Sequence, residues 1–208
     1  MGNAWDRPAE EGSPFRDGDA KAEDLYCAVG RAMSSWERLE GEMVGLYVSL
    51  VGSNNYAMDA PAIQAFGTIT SPATRANMMR AAAESLFHHL GMQLGLEPAQ
   101  ETIDEADSLE AELIDVLNCY AGWMGRRNDV AHGCVGSVGE DPPTYRLLPS
   151  IASAKKWCHV ISEPAFTFVA KDLDGFTRGF DELAARTSDL AERILEFRQE
   201  TARLIATE

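Results

Sequence analysis

Three long stretches of this chain place their apolar residues in alternating steps of three and four. The first carries Leu25, Val29, Ala32, Trp36, Leu39, Met43, Leu46 and Leu50. Another carries Leu109, Leu113, Val116, Tyr120 and Met124, and the last runs Leu173, Phe176, Phe180, Leu183, Thr187, Leu190, Ile194, Phe197 and Leu204. A strand returns to the same face every second residue, whereas an α-helix returns every 3.6, so only a helix keeps each set on one side. Long helices with a single apolar stripe must cover one another, which predicts an all-α bundle of four to five helices.

Local signals divide the bundle. Gly52, Ser53 and Asn54 end the first long helix, since Gly and Asn readily take the left-handed conformation at a helix terminus. A short helix begun by Asp59 and Pro61 is expected next. Ser71 followed by Pro72 starts the second long helix, which runs to about Leu90: the hydroxyl accepts from an early amide and proline sacrifices no needed donor. Glu97 to Asp115 holds eight acidic residues and no basic one, read as a solvated face on the first turns of the third long helix. The stretch "CVGSVGEDPPTYRLLPS" reads as a loop and "AFTFVAK" as a short strand. A small β-hairpin or extended excursion before the last long helix, pairing Tyr145–Leu148 with Phe166–Ala170, follows from these. Residues 1–20 are rich in Gly, Pro and charge and are expected to be a flexible tail, with 21–208 forming a single helical domain.

Composition narrows the function classes. A formal charge of −15 makes the whole molecule a poor nonspecific binder of a polyanion, so any RNA contact must be local. No run of about 18 apolar residues appears, and the first residues lack a basic segment followed by an apolar one, so neither a membrane span nor secretion is expected. Asp6 stands where a myristoylation motif wants Ser or Thr. Cys27, Cys119, Cys134 and Cys158 form no CxxC pair and read as free thiols in a reducing cytoplasm.

The chemistry-bearing residues gather in "GRRNDVAHG", Gly125 to Gly133, at the end of the third long helix. On a helical wheel Arg127 falls within about 20° of Leu109, Val116 and Tyr120, while Asn128 and His132 are i,i+4 neighbours. A guanidinium that starts on the apolar side must meet buried acceptors or a cleft. One reading is structural: Arg127 and Asn128 satisfy helix-end carbonyls, His132 sits at the negative dipole end and Gly133 caps the helix.

The other reading comes from resemblance. "RRNDVAHG" resembles the signature of the HEPN family, an Arg usually followed by a polar residue, then four to six residues and a His. Arg127 and His132 fit with four residues between them and Asn128 as the polar neighbour; counting from Arg126 fits too. A first helix with "SSWERLEGEM", a second after "SPATR" and a long closing helix extend the likeness to roughly residues 22 to 205 in helix order, against about eight residues in the motif. The resemblance implies metal-independent RNA cleavage, with a ribose 2′-hydroxyl attacking the neighbouring phosphate, as in toxin or defence ribonucleases. An imidazole can move the proton, a guanidinium can hold phosphate oxygens, Asn128 can orient either, and Arg126 can add a phosphate or RNA contact. No cofactor is called for. In-line cleavage benefits from both a base and an acid, so a homodimer that joins two motifs in one cleft is expected, with its two-fold axis near this helix end. An antitoxin or defence-system partner belongs to the same picture. The competing expectation is a noncatalytic helical dimerisation or binding module.

Other residues read more plainly. His88 and His89 point about 100° apart on a helix and make no simple metal pair. Cys134, Cys158 and His159 match no usual ligand spacing. Trp36 and Trp123 lie in apolar stripes, which favours core packing over base stacking.

Overall fold

The computed structural model describes residues 3–6, 17–53, 56–93, 100–139, 142–150, 164 and 166–206. These form five helices and a two-stranded hairpin: α1 Ala22–Val51, α2 Tyr56–Gly67, α3 Pro72–Gln93, α4 Gln100–Ala131, β1 Gly133–Val138, β2 Thr144–Pro149 and α5 Ala170–Ala206. Contacts divide the chain into two units. One comprises Met1–Arg38 with Gly122–Glu182, the other Leu39–Ala121 with Leu183–Glu208.

The first unit has an aromatic core. Trp36 and Trp123 each meet Phe180 edge to face, with centroids 5.2 and 5.5 Å apart, and Phe168 stands edge-on to Phe176 at 5.0 Å. Both tryptophans are buried, as core packing requires. A Cβ built on Gly179 would stand 2.5 Å from Trp123 Cη2, so the glycine is what lets the indole lie against α5. Gly in a helix interior costs about 1 kcal/mol relative to Ala, and here the close approach of a large ring offsets that cost.

The hairpin belongs to this unit and differs from the expected pairing. β2 contains the expected strand residues Tyr145–Leu148, but its partner is β1, antiparallel, from Gly133 opposite Pro149 to Val138 opposite Thr144. β1 has the composition of a loop because the sheet needs its small residues. A Cβ at Gly133 would meet Leu147 Cγ at 2.7 Å, and one at Gly136 would meet Leu148 Cδ1 at 3.0 Å. The expected pairing with Phe166–Ala170 survives as one bridge, in which Leu147 and Phe168 exchange amide–carbonyl bonds of 2.8 and 3.0 Å. Asp19, in the stretch expected to be a tail, makes a second bridge to Tyr145. Its side chain also accepts from the Ala170 amide at 2.7 Å and so caps α5.

The second unit packs the later turns of α1 and α5 and the earlier turns of α4 with α2 and α3. Ser71 caps α3 as expected, accepting from the Thr74 amide at 3.3 Å. α2 begins at Tyr56, earlier than the Asp59–Pro61 signal, which leaves Pro61 inside the helix. Asp59 instead turns back on the preceding loop, accepting from the Ser53 amide and hydroxyl at 2.6 and 3.0 Å. A half-buried polar network joins three helices: Tyr120 Oη donates to Glu40 Oε1 at 2.7 Å, Arg75 pairs with Glu40 Oε2, and Arg75 Nε donates to the Ile69 carbonyl at 2.7 Å. Burial, then the adjacent Glu40 carboxylate, pushes the Tyr120 phenol well above its ordinary pKa. The acidic run is not wholly a solvated face, because Glu112 and Asp115 hold Arg193 and Arg186 of α5 at 2.6 and 2.8 Å. Among the described residues no helix is long and apolar enough to cross a membrane.

Candidate functional site

The last turns of α4 and the start of β1 carry the motif. Leu109, Leu113, Val116, Leu117, Tyr120, Trp123 and Val130 are the buried stripe of α4, so the helix keeps its apolar face to its end. Arg126 and Arg127 fall between Trp123 and Val130 along that stripe, and both are half-buried. The wheel's placement of Arg127 towards the core side agrees with this position.

The two arginines are held differently. Arg126 Nη1 lies 3.0 Å from Asp129 Oδ2 in an i,i+3 ion pair whose side chains are 13% and 3% exposed. Asp129 therefore neutralises Arg126 inside the fold. Arg127 Nη1 donates to Asn128 Oδ1 at 3.2 Å, while its Nε is buried and, among the described residues, without a hydrogen-bond partner. A guanidinium carries five donors, and those of Arg127 are far from spent on one neutral amide.

His132 is exposed in the turn after α4, and its amide donates to the Asn128 carbonyl at 3.2 Å. Asn128 thus bonds in two directions, by its side chain to Arg127 and by its carbonyl to His132. Gly133 does not cap the helix in the left-handed form expected; among the described glycines only Gly139, where β1 ends, has a positive φ, of 93°. Its role is steric, since a Cβ there would also meet the Asp129 carbonyl oxygen at 3.0 Å. The chain can therefore turn directly from α4 into β1 and leave His132 at the corner.

Two further residues shape this end of the unit, and neither was expected to be buried. Arg146 on β2 is 4% exposed, a second largely buried guanidinium besides Arg126. Asp129, at 2% exposure, is the buried anion of the motif itself. The i,i+3 spacing from Arg126 was a readable signal for that pair; nothing in the spacing marked Arg146 as buried.

No protein-family model, curated protein or solved structure matches this chain. The arrangement itself offers a half-buried guanidinium with donors to spare, an amide that orients it, and an exposed imidazole at the adjoining corner. Such a set can hold an anion and move a proton beside it. Among the described residues no group of three His, Cys, Asp or Glu side chains gathers as a metal site; Cys158 and His159 lie outside the described residues, as do the side chains of His88 and His89.

Proposed function

We propose that the chain is a HEPN-type endoribonuclease, acting in a toxin or defence role, which cleaves RNA without a metal. Arg127 holds the scissile phosphate, Asn128 fixes the guanidinium and His132 moves the proton. The observation that carries this reading is the buried Arg127 Nε, unpartnered among the described residues, in a helix end that closes on an exposed histidine four residues past the orienting Asn128. In the reaction the 2′-hydroxyl oxygen attacks phosphorus and loses its proton to a base, and the 5′-oxygen leaves with a proton from an acid. A 2′,3′-cyclic phosphate remains on one fragment. One protomer supplies one imidazole at the motif, so the reading includes a homodimer that brings two motifs to one cleft. Arg126, bound to Asp129, is assigned to structure, which leaves Arg127 as the phosphate ligand.

A noncatalytic binding module is the second reading, favoured by the charge of −15 and by the burial of the neighbouring Arg126–Asp129 pair. The experiment that separates the two incubates the purified chain with single-stranded RNA and the matching DNA in EDTA. Cleavage of RNA alone, with a cyclic phosphate end, supports the enzyme, because DNA lacks the attacking hydroxyl. Intact RNA under those conditions favours the module. Sedimentation tests the shared cleft, which a strict monomer at micromolar concentration would rule out.

A further inference from the structure

The segment Asn3–Asp6 closes on itself and reaches α4. The Asn3 amide donates to Asp6 Oδ2 at 2.5 Å and the Asp6 amide donates to the Asn3 carbonyl at 3.0 Å, which presents Trp5 outward from a tight turn. A Cβ built on Gly122 would stand 2.5 Å from both Trp5 Cδ2 and Cε2 and 2.7 Å from Cγ. The indole therefore lies flat against the bare backbone of α4, in a notch that exists because position 122 has no side chain. A glycine in the interior of a long helix is otherwise unfavourable, and the docked ring accounts for it.

The notch is not a neutral place. Gly122, Arg126 and Asp129 are spaced i, i+4 and i+7, so Trp5 sits on the helix face that carries the Arg126–Asp129 pair, one turn before it. Trp5 itself is only half-buried. A single indole covering about 100 Å² of apolar surface favours the docked form by only about 10- to 100-fold once the ordering of the segment is counted.

From this we propose that Asn3–Asp6 is a detachable plug, with Trp5 as its anchor in the Gly122 notch, controlling access to the α4 face beside the motif. A partner that seizes this segment would vacate the notch without unfolding the helices. The inference stands on the contact itself and does not require that the motif cut RNA.

Chymotrypsin tests it on the full chain, because cleavage after Trp5 needs the indole in the protease's own pocket. The parent should lose residues 1–5 slowly, through the small open population, and Gly122→Ala should lose them about 10- to 100-fold faster. Alanine is the better helix former, so the variant should melt no lower than the parent. With 5-fluorotryptophan incorporated, the fluorine line assigned by Trp5→Phe should move to the free-indole position in Gly122→Ala, while the lines of Trp36 and Trp123 stay in place. Equal cleavage rates, or an unmoved Trp5 line, would show that the notch does not hold the ring. A parent that resists chymotrypsin for days while Gly122→Ala is cut would show a permanent fixture instead of a plug.

Discussion

Gly179→Ala is the sharpest test of the aromatic core beneath the motif. The added methyl carbon would stand 2.5 Å from Trp123 Cη2 and 2.9 Å from Cε2, with Cζ2 closer still. Ordinary carbon–carbon contact is about 3.5–4.0 Å, so the indole must shift by about 1 Å or more. It cannot do so freely, since Phe180 and Phe176 stand edge-on at 5.5 and 6.2 Å. Overpacking of this kind costs about 1–3 kcal/mol, against which the helix gains roughly 1 kcal/mol from losing a glycine. Gly175, one turn earlier on α5, is the control, because a Cβ there meets only Arg178 Nη2 at 3.8 Å. Gly175→Ala should therefore show the helix gain without the clash. The difference between the two variants should be about 1–3 kcal/mol, which for a chain of this size is roughly 2–12 °C in Tm. Thermal melting followed by circular dichroism gives the difference, and near-ultraviolet dichroism reports the displaced indole. If Gly179→Ala melts as high as Gly175→Ala with an unchanged tryptophan signal, the packing argument fails.

Two further outcomes follow from buried polar groups. Because the folded Tyr120 phenol titrates far above the unfolded one, its contribution to stability is whole below pH ~10 and declines as pH rises beyond it. Tyr120→Phe should flatten the fall in stability between pH 10 and 12, as measured by denaturant unfolding, and an unchanged slope would contradict the assignment. Asp129→Asn keeps the shape but leaves the Arg126 guanidinium without its buried anion, which should cost about 3 kcal/mol or more. A loss under about 1 kcal/mol would show that the pair does not hold the end of α4.

The long helices were legible because burial leaves a mark at every turn. Leu25, Trp36, Leu39 and Leu46 on α1, and Leu173, Phe180, Leu190 and Ile194 on α5, are all buried as the three-and-four spacing requires. The strand β1 was not legible, because Gly133 and Gly136 are the commonest signs of a loop and only the approach of Leu147 and Leu148 explains them. Within the motif, periodicity could place Arg127 near the core side, yet could not divide the work between two adjacent arginines. That division depends on which of them meets Asp129, and an acidic residue near a helix end reads by default as solvent-facing. The Trp5–Gly122 contact was not legible for a related reason: the two residues are far apart in sequence, and neither alone signals a contact.

The central claim is that His132 and Arg127 form one reactive set whose histidine is chemical and not structural. His132 is exposed, so His132→Ala should melt within about 1 kcal/mol of the parent while RNA cleavage in EDTA falls by roughly 10²- to 10⁴-fold. The direct measurement is the yield of 2′,3′-cyclic phosphate ends from the two proteins side by side, each checked by melting. A normally folded His132→Ala that cuts RNA as fast as the parent would contradict the account, and so would a parent that produces no cyclic phosphate at all.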